Sequence, residues 1–418
     1  MLVVVGVDVC AVNATVVGRS GPAAGGLIDT GVNHGEAGAM HDRLFDDELR
    51  AFRSAFKKFI AAEITPHHGR WSDAGVVDRE VFAKAGAQGF LCIPQAPAFG
   101  GSGLDFRYST VVAEELAAAG CSDVFFTLHS DIVAPYIEHH GSETLKARYL
   151  PGMAAGTLVG AIAMTEPGTG SDLQAITTRA VVDGDHWVIN GSKTFISNGL
   201  LCDLCIVAVN TEGEGQGWQS MSLMVVEATD PGFVRGKKLH KLGLPAQDTT
   251  ELHFEDCRIP MHRILGERGQ GFVYLMQELA RERLVVAVGC VAGARAALDM
   301  TVTYVKDRQA FGKPLSKQQN TRFKVAEMAT EVAMGETFVD RCIEELNAGS
   351  LTADRASMAK WWTSEMLGRV VDECLQLHGG YGYMYEYPIA RAWLDARVQR
   401  IYAGTTEIMK EIVARSIL

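Results

Sequence analysis

One carboxylate in this chain stands where a carboxylate is out of place. In "GFVYLMQELARERLVVAVGC" the residues Phe272, Leu275, Leu279, Glu282, Val286 and Cys290 recur at helical spacing, so Glu282 falls on the apolar stripe of a long helix. Glu278 stands four residues before it and Val286 four after, so no basic partner sits at helical spacing. Two readings are open: Glu282 bridges to an Arg of another helix, or it is a general base in an apolar pocket. In such a pocket desolvation raises the carboxyl pKa and makes the group a better proton acceptor near neutral pH.

Three other segments carry groups that could do chemistry. "AMTEPGTGSD", residues 163–172, is a Pro/Gly loop entering a sheet, and its hydroxyls and free N–H groups suit a cofactor as well as a turn. "IYAGTTEI", residues 401–408, can be a helix end at Gly404 followed by a Thr N-cap, or the wall of a site. Cys202 and Cys205 have CxxC spacing in "LCDLCIVAV". No second pair or histidine at ligand spacing joins them and no helix start follows. They read as buried thiols at a strand entrance, and no metal site is expected.

These residues need a scaffold, and the chain is long enough for one. Its 418 residues, 47% hydrophobic and 21% charged, suit two or three packed units. A net charge of -11 argues against a nucleic-acid binder that neutralises phosphates broadly. Nine scattered cysteines fit a reducing, cytoplasmic location. The first residues lack a basic leader, and no membrane span is expected. Residues 1–41 read as a flexible extension, with ordered structure expected to begin near Met40.

From Asp46 the apolar residues Leu49, Phe52, Phe56 and Ile60 form a helical stripe that Pro66 is expected to close. Residues 42–160 are predicted to be an α-helical domain. The period then becomes two, and Asp183-Gly184, Asn190-Gly191 and Asn198-Gly199 are hairpin signals, which predicts a β-barrel or compact sheet domain over 161–268. Long helical segments return over 269–418 and predict an antiparallel four-helix bundle. Helices, sheet, helices is an α+β order, and it excludes an alternating Rossmann unit.

"AMTEPGTGSD", "FISNG", "DRQAFGKPL", "QLHGGYGYM" and "GTTEI" occur in that order, and with them the chain resembles the acyl-CoA dehydrogenase family of flavoproteins from about residue 42 to the end. The long-chain and isovaleryl-type members look most similar. The resemblance implies an FAD at the seam of sheet and bundle. Ile162, Met164, Thr165, Gly170 and Ser171 would lie along it, and Phe195, Ile196 and Ser197 would cover another part of the ring. Phe195 stands where most relatives have Trp. Arg308, Phe311, Gln318, Gln319, Gln376, Gly379 and Gly380 match contacts made to FAD across a subunit boundary, which implies a homotetramer. Thr405 and Glu407 would also touch the cofactor, and Ser171, Arg283, Ala403 and Gly404 would face the substrate.

In many members the residue before the C-terminal Gly-Thr is a Glu that removes the substrate's α-proton; here it is Ala403. Glu282 occupies the position from which isovaleryl and long-chain relatives supply that acid. The resemblance therefore implies α,β-dehydrogenation of an acyl-CoA, with Glu282 as base, the N–H of residue 403 on the thioester oxygen, and an electron-transfer flavoprotein as acceptor. An acyl-CoA oxidase, a flavin monooxygenase or a non-catalytic flavin-binding relative would share the architecture.

Overall fold

The computed structural model describes residues 44–211 and 217–418, so the expected extension over 1–41 and a start near Met40 lie outside the described residues. Helix α1 (Asp47–Phe59) begins where Asp46 accepts a hydrogen bond from Leu49 N at 2.9 Å. A π-helical stretch, Ile60–Ile64, then leads into α2 (Thr65–Ala74). Pro66 does not close the segment as its sequence position suggests. It lies in the first turn of α2, where a missing N–H costs no helical bond. The helices α3 (Glu80–Ala87), α4 (Phe106–Ala118), α5 (Ala134–His140) and α6 (Glu143–Ala154) follow. The side chains of Phe56, Phe59, Phe82, Phe90 and Phe126 pack ring against ring at their centre.

The strands are β1 (Gly160–Ala163), β2 (Arg179–Asp183), β3 (His186–Ser197), β4 (Leu204–Thr211), β5 (Met221–Glu227), β6 (Phe233–Lys238), β7 (Thr249–Pro260) and β8 (Ile264–Leu265). They form one eight-stranded sheet in the order β6-β7-β3-β2-β4-β5-β8, with β1 pairing parallel to β4. No pairing joins β6 to β8 among the described residues, so the hydrogen-bonded path is that of an open sheet. Asp183-Gly184 does make the β2–β3 hairpin, with Asp183 opposite His186. Asn190-Gly191 does not turn the chain: it lies inside β3, at a register shift against β7. Gly191 has φ +151°, and a Cβ there would come within 2.7 Å of the Thr178 backbone, so the Gly serves close approach rather than reversal.

Three long helices follow, α7 (Gly271–Asp307), α8 (Gln319–Asn347) and α9 (Ala353–His378), then α10 (Pro388–Ala396) and α11 (Thr406–Ile417). Helix α9 packs on α7, α8, α10 and α11, which gathers residues 269–418 into the helical C-terminal domain expected. Among the described residues α7 alone is long and apolar enough to cross a membrane by composition, yet 56% of its most apolar window is buried in the protein. Every residue from Glu282 to Val288 is buried, which is the pattern of a central core helix.

A buried ion pair ties the sheet to the loop after β1. Lys193, on β3, donates to Glu166 Oε1 at 2.8 Å and to Met164 O at 3.0 Å, and both side chains are almost wholly inaccessible. Glu166 also accepts from Thr177 N, Thr177 Oγ1 and Thr178 N at 2.6–2.9 Å. Burial pushes its carboxyl up, but the Lys193 ammonium and the Thr178 N–H outweigh this and hold it down at about 2. Glu166→Gln leaves the ammonium buried without a counter-charge and is expected to cost about 3–5 kcal/mol in denaturant unfolding. A Lys193→Met, Glu166→Gln double substitution is expected to recover most of that loss, and a double variant no more stable than the single one would show that the ion pair is not the cause.

Candidate active site

Glu282 sits in the fourth turn of α7 with 4% of its surface accessible. Burial pushes its carboxyl up to about 7, with the charge of Glu278 adding to the rise, while Tyr136 and Arg283 oppose it. Its partner is not the Arg that the first reading required. Tyr136, fully buried on α5, donates its hydroxyl to Glu282 Oε1 at 2.6 Å. The phenol itself is pushed well above its ordinary pKa by burial and by the carboxylate beside it, so the proton stays on the tyrosine oxygen.

One turn along, the same two helices meet again. His139 Nδ1 and His140 Nε2 lie 2.7 and 3.0 Å from Glu278 Oε1, each placed to donate an N–H. These contacts overcome the burial of Glu278 and hold its carboxyl at about 2. His140 stacks on Tyr274 with centroids 4.3 Å apart, which sets the imidazole plane. Tyr136 and His140 are four apart on α5, as are Glu282 and Glu278 on α7, so the contacts form two rungs between the helices. The α7 stripe pointed to neither Tyr136 nor the two histidines. The available signal was an α5 segment with a phenol and an imidazole at i and i+4.

Arg283 is buried, not a surface charge, and its Nε has no hydrogen-bond partner among the described residues. Burial lowers its pKa against the pull of Glu282. A further element of the candidate site is the turn at residues 401–405. Ala403 has φ +52° and Gly404 +94°, and Thr405 caps α11 by accepting from Ile408 N. The Lys360 ammonium, buried on α9, donates to Gly404 O at 2.6 Å and holds that left-handed turn in place. Glu407 lies exposed in the first turn of α11.

The remaining residues named from sequence fall into two places. Ile162 and Met164 are half-buried at and beyond β1, and Thr194 N donates to Thr165 O at 2.9 Å, so β3 holds the loop edge-on. Gly170 and Ser171 are exposed further along that loop. Phe195, at φ +60°, is 67% exposed and Ser197 is half-buried, while Ile196 points into the sheet core. The structure therefore separates Ile196 from its neighbours, and its side chain does not share their open face. A second place is a cavity of about 610 Å³ lined by Tyr304, Arg308, Leu315, Gln376, Gly379 and Gly380, among others. A Cβ built on Gly379 or Gly380 would meet nothing within 4 Å, so both glycines face open space. Gln318 and Gln319 start α8, and Phe311 stands 96% exposed at the tip of the short Gln309–Pro314 hairpin.

Family models agree with this three-part architecture. The acyl-CoA dehydrogenase N-terminal domain matches residues 46–157, the middle domain 161–257 and the C-terminal domain 269–418. The chain is 48% identical over 398 residues to the mitochondrial long-chain specific acyl-CoA dehydrogenase of Sus scrofa, covering 95% of this chain and 90% of that one. A solved acyl-CoA dehydrogenase of Geobacillus kaustophilus superposes with TM-score 0.88 at 50% identity, covering 90% of this chain and 99% of that one. A glutaryl-CoA dehydrogenase of Mycobacterium smegmatis in complex with FADH2 superposes with TM-score 0.83 at 27% identity, covering 90% and 96%. With all three domains matched in order, the chain belongs to the acyl-CoA dehydrogenase family.

Proposed function

We propose that this protein dehydrogenates an acyl-CoA thioester to a trans-2-enoyl-CoA, with FAD as cofactor and Glu282 as the base. The observation that carries the reading is the buried, anion-capable Glu282 carboxylate, which makes no ion pair among the described residues, while Ala403 leaves the alternative base position empty of acid. The residues present fit a flavin dinucleotide. The exposed face of Phe195 offers an apolar surface for a ring, and the cavity at Gly379 and Gly380 lets backbone approach phosphates beside the Arg308 guanidinium. Bound FAD supplies the acceptor for the hydride that leaves the substrate's β-carbon, and an electron-transfer flavoprotein takes the electrons onward.

The chain's own work is to move a proton and to tame charge. Glu282 takes the α-proton as a carboxylate whose affinity has been raised by burial, which narrows the gap to a weak carbon acid. Charge growing on the thioester oxygen needs a donor, and a backbone N–H at Ala403 provides one regardless of side chain. The left-handed turn held by Lys360 keeps that N–H in a set direction. A homotetramer is part of the proposal, because Phe311, almost fully exposed at φ +54°, is an apolar side chain that a second copy would cover. So is a cytoplasmic location, for which the eight described cysteines, all free and buried, are the support.

Anaerobic mixing with a panel of acyl-CoAs, spanning short to long chains, tests the activity through bleaching of the flavin absorbance. Long-chain thioesters are expected to react, in line with the relatives named for them, and no bleaching with any member would end the dehydrogenase reading. Steady peroxide formation under air would reassign the protein to the oxidases. Glu282→Gln is expected to retain FAD and to slow bleaching by at least about 10²–10⁴-fold. Because the base must be ionised, the bleaching rate of the unsubstituted enzyme is expected to climb as pH rises through about 7 and to level off above it. Sedimentation should give a mass of four chains, and a monomer carrying full flavin would remove the tetramer.

A further inference from the structure

The two oxygens of Glu282 are not equivalent, and the difference comes from another domain. Oε1 accepts the Tyr136 O–H at 2.6 Å. Oε2 accepts no hydrogen bond from any described residue, although the carboxylate is almost wholly enclosed. Tyr136 is fixed in turn: it is fully buried on α5, which a π-helical stretch, Leu128–Val133, feeds directly, and the His140–Glu278 contact one turn on holds α5 in register with α7. A phenol engaging one lone pair of a carboxylate makes that oxygen the poorer proton acceptor and orients the other.

We propose that Tyr136 is the positioning residue of the base, directing the incoming proton to Glu282 Oε2. This rests on Glu282 being the base. The α C–H bond breaks, an O–H bond forms at Oε2, and the C–H electron pair stays with the substrate. Oε1 then becomes the carbonyl oxygen of a neutral carboxyl and still accepts the same phenol O–H. No hydrogen bond at Tyr136 has to break during the transfer, so the pocket need not reorganise as the proton moves. The groups that act on Glu282 are Tyr136 from α5 and Glu278 and Arg283 from its own helix. Tyr136 and Glu278 act with opposite sign, since the phenol favours the anion and the neighbouring carboxylate opposes it.

That opposition supplies a test that a packing defect cannot imitate. In the FAD-loaded full chain, the pH dependence of anaerobic bleaching is measured for Tyr136→Phe and Glu278→Gln. Tyr136→Phe is expected to move the acid limb up by about one pH unit and to lower kcat at neutral pH with KM little changed. Glu278→Gln is expected to move the same limb down. A Tyr136→Phe limb at the wild-type position overturns the proposal. Should Tyr136→Phe fail to fold, 3-fluorotyrosine placed at position 136 is a stronger donor and is expected to lower the limb; no movement overturns the proposal equally. The infrared carboxyl band that disappears in Glu282→Gln reports the same titration without turnover. Failure of the dehydrogenase reading is thus distinguishable, because it removes bleaching in the wild type while the band still tests Tyr136.

Discussion

The structure turns on how the Glu282 carboxylate is kept inside a protein without an ion pair among the described residues. Taking Glu282 out of water raises the cost of its charge, and an Arg partner would have cancelled that cost along with the basicity. A phenol is the intermediate solution. Tyr136 donates a hydrogen bond that makes the anion tolerable, but it brings no positive charge, so the carboxyl stays near neutrality instead of falling to about 2 as Glu278 and Glu166 do. Glu282, Glu278 and Glu166 thus differ in their donors, a phenol for the first, two imidazoles for the second and an ammonium with backbone N–H groups for the third.

Much of the remaining architecture serves to hold those partners. Tyr136 belongs to the N-terminal helices and Glu282 to the bundle, so their hydrogen bond exists only when the two units dock. The second rung at His140 and Glu278 keeps α5 and α7 in step. On the sheet side, the Lys193–Glu166 pair fixes the loop after β1, and Lys360 fixes the turn before α11. Each of these uses a buried charge to hold backbone that has no regular secondary structure of its own, where apolar packing alone would not set direction.

The departures from simple sequence patterns have identifiable causes. Pro66 reads as a stop but begins α2, because a proline in a first turn forfeits no hydrogen bond. Asn190-Gly191 reads as a hairpin but lies in a strand, since the glycine is there for the approach of Thr178 and not for a reversal. Ile196 stands between two residues of the open face, yet alternation along a strand sends it into the core. In each case the local signal was real and a neighbour in space decided its use.

Periodicity, turn residues and motif order determined the three-part α+β plan, the long helices and the position of an acid that no local base could pair. These depend on contacts within one element or on residue type, so they can be read along the chain. The partner of that acid could not, because Tyr136 and Glu282 are 146 residues apart and their meeting depends on how two separate units pack. The nonequivalence of the two carboxylate oxygens is likewise a product of tertiary structure alone. Glu282 was legible as an anomaly in sequence; its partner, a hydroxyl brought to 2.6 Å, is supplied by the docking of another domain.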